Sequence, residues 1–207
     1  GLVSPSGAIG MAVVAAGAGI TLGWLAGPFR AAVVLLAVVV LVIGYGYDLF
    51  FKGTAWSWLP FAVGIPVLPI YGWVGATGGI PASFAVLVPA AVLAGAGLAI
   101  ANARADATRD RVSGTVSVAT RLGDRWSWRV NALLSAIVVV AAVATLLLAG
   151  AGVVPLAAAT LAGVIVAAGL AIGRSADAAR RERAWQLQAV GTAVLAAAWL
   201  GGVPLAG

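Results

Sequence analysis

The sequence predicts an all-helical bundle that crosses a membrane several times. Hydrophobic residues make up 63% of the 207 residues and charged residues only 9%, whereas a soluble domain is about 25% charged. Apolar runs of about 20 residues, the length that spans a bilayer, recur along the chain. Cysteine and histidine are absent from the sequence, which excludes a disulfide framework and removes the commonest general base.

Seven apolar runs are expected to be membrane spans. We place them at roughly 7–27, 31–47, 57–75, 82–103, 127–149, 152–173 and 184–204. Short turns containing glycine and proline separate most of them. The third run contains Pro60, Pro66 and Pro69, and proline inside a helix removes a backbone hydrogen bond. We therefore expect this span to be kinked or broken.

Basic residues are distributed unequally between the two ends of these spans. Eleven of the twelve lysines and arginines fall at one end, and Arg30 alone falls at the other. Because cytoplasmic loops are enriched in Lys and Arg, the first end is predicted to be cytoplasmic, with the N-terminus inside and the C-terminus outside a cell (inner) membrane. The net charge of +6 does not indicate a nucleic-acid partner, since the charges are confined to inter-helix loops.

All six acidic residues fall at the same end as the basic residues. The positive-inside rule does not explain this, because it concerns Lys and Arg. One interpretation is a shared polar site at the cytoplasmic face. The other is that the opposite loops are too short to hold acidic residues.

A polar segment directly after the fourth apolar run carries the strongest chemical pattern. Asn102, Asp106 and Asp110 are spaced four residues apart, which places them on one face of a helix that turns about 100° per residue. Mg²⁺ is commonly held by one or two carboxylates together with water and substrate phosphates. Guanidinium groups suit phosphate oxygens, and several lie nearby, among them Arg104, Arg111 and Arg121. An ordinary charged loop with salt bridges is the competing interpretation.

The same segment resembles a known motif. It reads Asn102-x-x-x-Asp106-x-x-x-Asp110-x-x-x-Gly114-x-x-Ser117, followed by Arg121-Leu122-Gly123. This resembles the second aspartate-rich motif of the UbiA superfamily of intramembrane prenyltransferases. Thr108 stands where an acidic residue is common in that family, and Ser117 stands where threonine is common.

A second stretch supports the resemblance. Tyr45-Gly-Tyr47-Asp48-Leu-Phe-Phe-Lys52 is similar to the family's tyrosine-containing loop that ends in lysine. The resemblance implies that Tyr47 lines the reaction cavity and that Lys52 contacts diphosphate, with Asp48 at a substrate-binding position where Ser or Thr is frequent. From the residues alone, the tyrosines suit an interfacial aromatic belt and Lys52 a positive-inside anchor.

The resemblance extends over 1–207 as a single domain. It implies a nine-helix fold of which this chain supplies seven spans, and Pro5-Ser-Gly7 resembles the segment just after the family's first aspartate-rich motif. The first two helices and that motif are therefore expected upstream of Gly1. The implied activity is Mg²⁺-dependent transfer of a prenyl group from a polyprenyl diphosphate to a lipophilic acceptor, such as a quinone precursor, a tetrapyrrole or a lipid alcohol.

Two other functions remain open at this point. One is a non-catalytic UbiA-like subunit of a larger membrane complex, and the other is a small transporter in which Asp106 and Asp110 serve ion coupling. Two further expectations concern structure: Asp177 and Arg181 are spaced to form a helical ion pair, and Asn131 is expected to make an internal hydrogen bond.

Overall fold

The structure is a computed structural model that describes residues 4–25 and 27–203. It is built from seven long helices and one π-helical turn, with no β-strand in these ranges. In chain order they are α1 (Pro5–Leu25), α2 (Arg30–Gly46), the π-helical turn (Tyr47–Phe51), α3 (Leu59–Thr77), α4 (Phe84–Ser113), α5 (Val118–Leu148), α6 (Val153–Ile172) and α7 (Ala178–Gly202).

The helices confirm the prediction of an all-helical membrane bundle. Six of the seven in the described ranges are long and apolar enough to cross a membrane. The exception is α7, whose first half contains the charged run 180–183 and Gln188. These residues lower the mean hydropathy of a helix whose second half, ending in Trp199 and Leu200, is apolar.

α4 is the central helix of the bundle. It packs against α3, α5 and α7, and half of its apolar stretch is buried. The main hydrophobic core joins its first turns to the apolar ends of α5, α6 and α7, and includes Phe84, Leu87, Leu146, Leu195 and Trp199. α1 and α2 lie at the edge, and their surfaces are mostly exposed.

Glycine allows the closest helix contacts. A Cβ atom at Gly95 of α4 would collide with the backbone carbonyl of Phe61 in α3. A Cβ atom at Gly191 of α7 would lie 2.7 Å from Val166 Cγ2 in α6. Small residues of this kind let membrane helices approach closely where no hydrophobic effect drives them together. The site described below therefore rests on tightly packed helices.

Three helices, α4, α5 and α7, differ clearly from their expected bounds; α7 begins at Ala178 instead of 184. α4 continues to Ser113, beyond the predicted 103, because the polar residues that follow the apolar run still favour helix. α5 begins at Val118 instead of 127, with non-helical backbone at Gly123. α3 is one continuous helix with Pro66 and Pro69 inside it, so the span is not broken; the alternative expectation, a kink, stays a prediction.

Cysteine labelling tests the crossing of α4. A helix of 30 residues is about 45 Å long, more than the roughly 30 Å hydrocarbon core. Single cysteines replacing Ile80 and Val112, which are 57% and 88% exposed, should react with an impermeant thiol reagent from opposite sides of the membrane. The natural chain has no cysteine and serves as the unlabelled control. Labelling of both positions from one side would contradict the crossing.

Candidate active site

The polar stripe at the end of α4 is the first component of the site. Asn102, Asp106 and Asp110 all lie on this uninterrupted helix and are partly exposed, so their spacing places them on one face. Asp106 Oδ1 lies 3.1 Å from Arg109 Nη1. In the described part of the chain the Asp110 carboxylate has no ion-pair or hydrogen-bond partner, and is free to accept a ligand.

The next motif residues end one helix and begin another. Gly114 has a φ of +71°, a left-handed conformation that ends α4, and the Thr115 backbone N–H donates to the Asp110 carbonyl at 2.8 Å. Ser117 caps α5: its hydroxyl accepts from the Thr120 N–H, while its own N–H donates to the Thr120 hydroxyl at 2.8 Å. This reciprocal capping box makes a tight turn that brings Arg121 onto the first turns of α5.

The turn after α2 lies beside the turn after α4. Gly53, directly after Lys52, approaches Thr115: a Cβ atom at Gly53 would lie 3.8 Å from Thr115 Cγ2. Tyr47 packs edge-on against Phe61 with ring centroids 5.5 Å apart, and Phe61 in turn contacts α4. The structure therefore brings the two sequence motifs to the same end of the bundle.

Basic side chains at this end differ in how they are engaged. Lys52 Nζ lies 3.5 Å from Asp48 Oδ1, and both groups are well exposed, so the pair is weak. Arg111 and Arg121 are exposed and form no ion pair with any residue the structure describes. These cations remain available to an anionic ligand.

Arg104 belongs to a different arrangement, which the sequence did not predict. Its guanidinium is only 5% exposed and lies 3.2 Å from Asp124 Oδ1. Arg181, 7% exposed, lies 2.9 Å from the same oxygen. We call Arg104, Asp124 and Arg181 the charge clamp; it joins α4, α5 and α7. The assignment of Arg104 to diphosphate stays a prediction, and the structure gives its guanidinium a carboxylate partner.

Gly123 places Asp124 in the clamp. Its backbone angles, φ 73° and ψ 166°, fall in a region open essentially to glycine, and they kink α5 just before Asp124.

The predicted pair of Asp177 with Arg181 is wrong. Asp177 instead caps α7 by accepting from the Arg180 N–H at 2.8 Å, which leaves Arg181 to Asp124. In the sequence, the only local indication of the charge clamp is that Gly123 directly precedes the acidic residue Asp124.

Asn131 makes the internal hydrogen bond expected of it. Its Nδ2 donates to Gln188 Oε1 at 2.8 Å, and its Oδ1 accepts from the Ser135 hydroxyl at 3.4 Å. Both Asn131 and Gln188 are buried. Because an unpaired amide inside a membrane protein is costly, this bond fixes α5 against α7 one level below the charge clamp.

An apolar cavity of about 480 Å³ opens between α3, α4, α5 and α7. Along α4 its lining runs from Val86 to Leu98, and on the facing helices it includes Leu68, Ala142 and Trp199. Leu98 precedes Asn102 by one helical turn. The cavity therefore runs along the same helix that carries the polar stripe.

The donor atoms of the stripe suit a magnesium ion that takes most of its ligands from elsewhere. Over residues 4–25 and 27–203, no group of three or more Asp, Glu, His or Cys side chains is arranged to hold a metal. Mg²⁺ is often bound through one or two carboxylates plus waters and substrate phosphates. Asp106 and Asp110, with the amide of Asn102, match that partial set.

Comparison with known proteins now identifies the family. The model of the UbiA prenyltransferase family matches residues 1–203. The chain belongs to the UbiA prenyltransferase family. The solved apo structure of a UbiA homolog from Aeropyrum pernix K1 is similar to it, with a TM-score of 0.74 and 18% identity, covering 97% of this chain and 74% of that chain. No curated protein sequence matches the chain.

The family and the fold together place this UbiA chain among membrane prenyltransferases. The resemblance based on 102–123 and 45–53 is confirmed at the level of the family. At 18% identity, the likeness to the archaeal homolog establishes the shared fold alone.

Removing the charge of Asp124 tests the clamp. Asp124→Asn keeps the size of the side chain but leaves two buried guanidiniums without a counter-charge. We expect the free energy of unfolding to fall by about 1–3 kcal/mol, less than the roughly 3–5 kcal/mol of a fully buried pair, because Asp124 is 47% exposed. Denaturant unfolding in detergent micelles measures it.

Asp48→Asn is the matched control. It breaks the exposed pair with Lys52, and such pairs contribute about 0–1 kcal/mol. Equal effects of Asp124→Asn and Asp48→Asn on unfolding would contradict a stabilising clamp.

Proposed function

We propose that this UbiA chain serves Mg²⁺-dependent transfer of a prenyl group from a polyprenyl diphosphate to a lipophilic acceptor within the membrane. The proposal rests on the order in which an apolar and a polar surface follow each other along α4. The apolar cavity wall ends at Leu98, and the polar stripe begins one helical turn later at Asn102. A molecule with a long apolar tail and a charged head matches this arrangement.

The diphosphate head is assigned to the polar end. Asp106, Asp110 and Asn102 would hold Mg²⁺ by their oxygens, and Lys52, Arg111 and Arg121 would donate to diphosphate oxygens. Asp48 would act indirectly by holding Lys52, to which it is paired. Arg104 would act indirectly as well, because its ion pair with Asp124 holds α4 in place.

The reaction breaks the bond between prenyl C1 and the diphosphate oxygen. The electron pair leaves with the diphosphate, whose charge the basic side chains would stabilise together with a bound Mg²⁺, and C1 is left as an allylic cation. Tyr47 is assigned to the wall beside C1, where an aromatic face attracts positive charge. The acceptor nucleophile then bonds to C1; a ring carbon or a hydroxyl oxygen loses its proton to water or to the released diphosphate, whereas a carboxylate attacks as the anion and has no proton to lose. A quinone-precursor ring, a tetrapyrrole carboxylate or a lipid hydroxyl would serve.

The setting we propose is a multi-pass protein of the cell (inner) membrane. The eleven basic residues at the end of the bundle that carries Lys52 and Asp106 support placing the site loops on the cytoplasmic side and the C-terminus outside. Membrane lipids surround the bundle in this setting, and the alternative function, a non-catalytic subunit, would place it in a larger membrane complex.

Single substitutions in the stripe test the metal assignment. Asp106→Asn or Asp110→Asn keeps the shape but removes the charge that binds a divalent cation, so we expect Mg²⁺-dependent affinity for a polyprenyl thiodiphosphate to fall at least about tenfold. Asn102→Ala should weaken it less, because an amide oxygen carries no full charge. Calorimetric titration with and without Mg²⁺ measures the effect in the complete protein.

Asp177→Asn is the control for this titration. It removes a carboxylate from the same end of the bundle, but asparagine caps helices about as well as aspartate, so α7 should be unaffected. Unchanged Mg²⁺-dependent binding in both Asp106→Asn and Asp110→Asn would refute the assignment.

The family resemblance implies a second acidic motif on a facing helix, and 102–111 supplies one motif. Mg²⁺ demands near-octahedral coordination, so we propose that the complete site takes further acidic ligands from another segment, in the same polypeptide or a separate one. Residues 1–207 in nanodiscs should then show little or no prenyl transfer with Mg²⁺ and a panel of diphosphates and acceptors.

Adding two helices that carry an acidic motif should restore this activity. Robust turnover by 1–207 alone would show that one motif suffices. Inactivity of the complete protein with every acceptor would favour the non-catalytic subunit.

A further inference from the structure

A second basic site lies away from the polar stripe, at the turn between α6 and α7. An open groove of about 560 Å³ is lined by Arg174, Arg180 and Arg183, together with Ser175 and the apolar side chains of Ala171 and Ile172. In this groove three guanidinium groups lie next to the apolar end of the membrane-spanning helix α6. The proposed prenyl-transfer reaction uses none of these residues.

The arginine groove carries more positive than negative charge. Arg174, Arg180 and Arg183 form no ion pair within the part of the chain that the structure describes. The two acidic residues of the same segment contact neutral donors instead of these guanidiniums: Asp177 accepts from the Arg180 backbone N–H, and Glu182 accepts from the Gln186 amide at 3.2 Å. Residues 174–183 contain four arginines against these two carboxylates, so the segment keeps a net positive charge. The groove is therefore a concentrated site of positive charge.

The groove is also held in shape by its surroundings. The Arg174 guanidinium stacks on the Trp128 ring at 4.6 Å from its centroid, and the Trp128 indole N–H donates to the Leu170 carbonyl at 3.0 Å. The loop itself is braced by buried Arg181, whose Nε donates to the Ser175 carbonyl at 2.7 Å. The backbone that carries the arginines is therefore fixed, and the Arg174 side chain is already partly ordered by its stacking on Trp128.

We propose that the arginine groove binds the phosphate of an anionic phospholipid headgroup. Guanidinium groups bind phosphate oxygens through paired hydrogen bonds, and basic pockets between membrane helices bind anionic lipid headgroups. The apolar side of the groove favours a lipid as the ligand over a soluble phosphate, because a soluble phosphate has no apolar part to contact it. Ala171 and Ile172 continue directly into the apolar surface of α6, along which an acyl chain can lie. The proposal is independent of prenyl transfer.

Native mass spectrometry of the detergent-solubilised chain tests the proposal. The protein is titrated with phosphatidylglycerol or with phosphatidylcholine of the same acyl chains, in EDTA so that no magnesium–diphosphate site is filled. We expect one phosphatidylglycerol to bind at least about tenfold more tightly than phosphatidylcholine. Arg174→Gln with Arg183→Gln should remove most of that preference, since each basic residue near an anionic lipid surface contributes about fivefold.

A charge-matched pair separates the groove from general attraction. Arg125→Gln with Arg129→Gln removes two charges on α5, and Arg129, like Arg174, stacks on a tryptophan. This variant should keep the lipid preference. Equal losses in both pairs, or no preference in the unmodified chain, would overturn the proposal.

Two further measurements complete the test. Inorganic phosphate at 10 mM should not displace the phosphatidylglycerol; full displacement would show that the groove is a site for free anions. If Arg174→Gln with Arg183→Gln lowers the melting temperature of the protein, the exposed single variant Arg180→Gln replaces it. Retained preference in that folded variant would overturn the proposal.

Discussion

A single carboxylate between two buried guanidiniums holds the polar end of this molecule together. Asp124 neutralises one of the two charges carried by Arg104 and Arg181. Burial of a charge is costly unless the charge is paired and hydrogen-bonded. The alternative packings in which α4, α5 and α7 separate would leave those arginines without a counter-charge. This constraint fixes the three helices that carry the stripe, most of the cavity wall and the end of the α6–α7 turn.

The clamp also connects the arginine groove to the helix that carries the polar stripe. Arg181 donates to the Ser175 carbonyl and so braces the arginine groove, while Arg104 lies on the helix that carries Asp106 and Asp110. The Asn131–Gln188 bond repeats the attachment of α5 to α7 deeper in the bundle. Buried polar side chains therefore set the relative placement of helices whose apolar surfaces alone would pack in several ways.

The motif of the UbiA family contains structural positions as well as candidate ligands. Gly114 ends α4 through its left-handed backbone, Ser117 begins α5 through its capping box, and Gly123 kinks α5 before the clamp. These three residues determine where the helix that carries the acidic stripe stops and how the next one starts. Serine can replace threonine in this role because both present a hydroxyl to the helix N-terminus.

The sequence by itself determined the features that depend on local spacing. Apolar runs predicted the helices, the four-residue repeat predicted the face shared by Asp106 and Asp110, and two motifs indicated the family. Tertiary structure alone decided which charges pair. Asp177 and Arg181 have the spacing of a helical pair, yet Asp177 caps α7 and Arg181 pairs with Asp124, 57 residues earlier in the chain. Long-range pairing depends on how the helices pack, because a charge that becomes buried is costly unless it is paired. Which charges become buried cannot be read from residues that are close in the sequence.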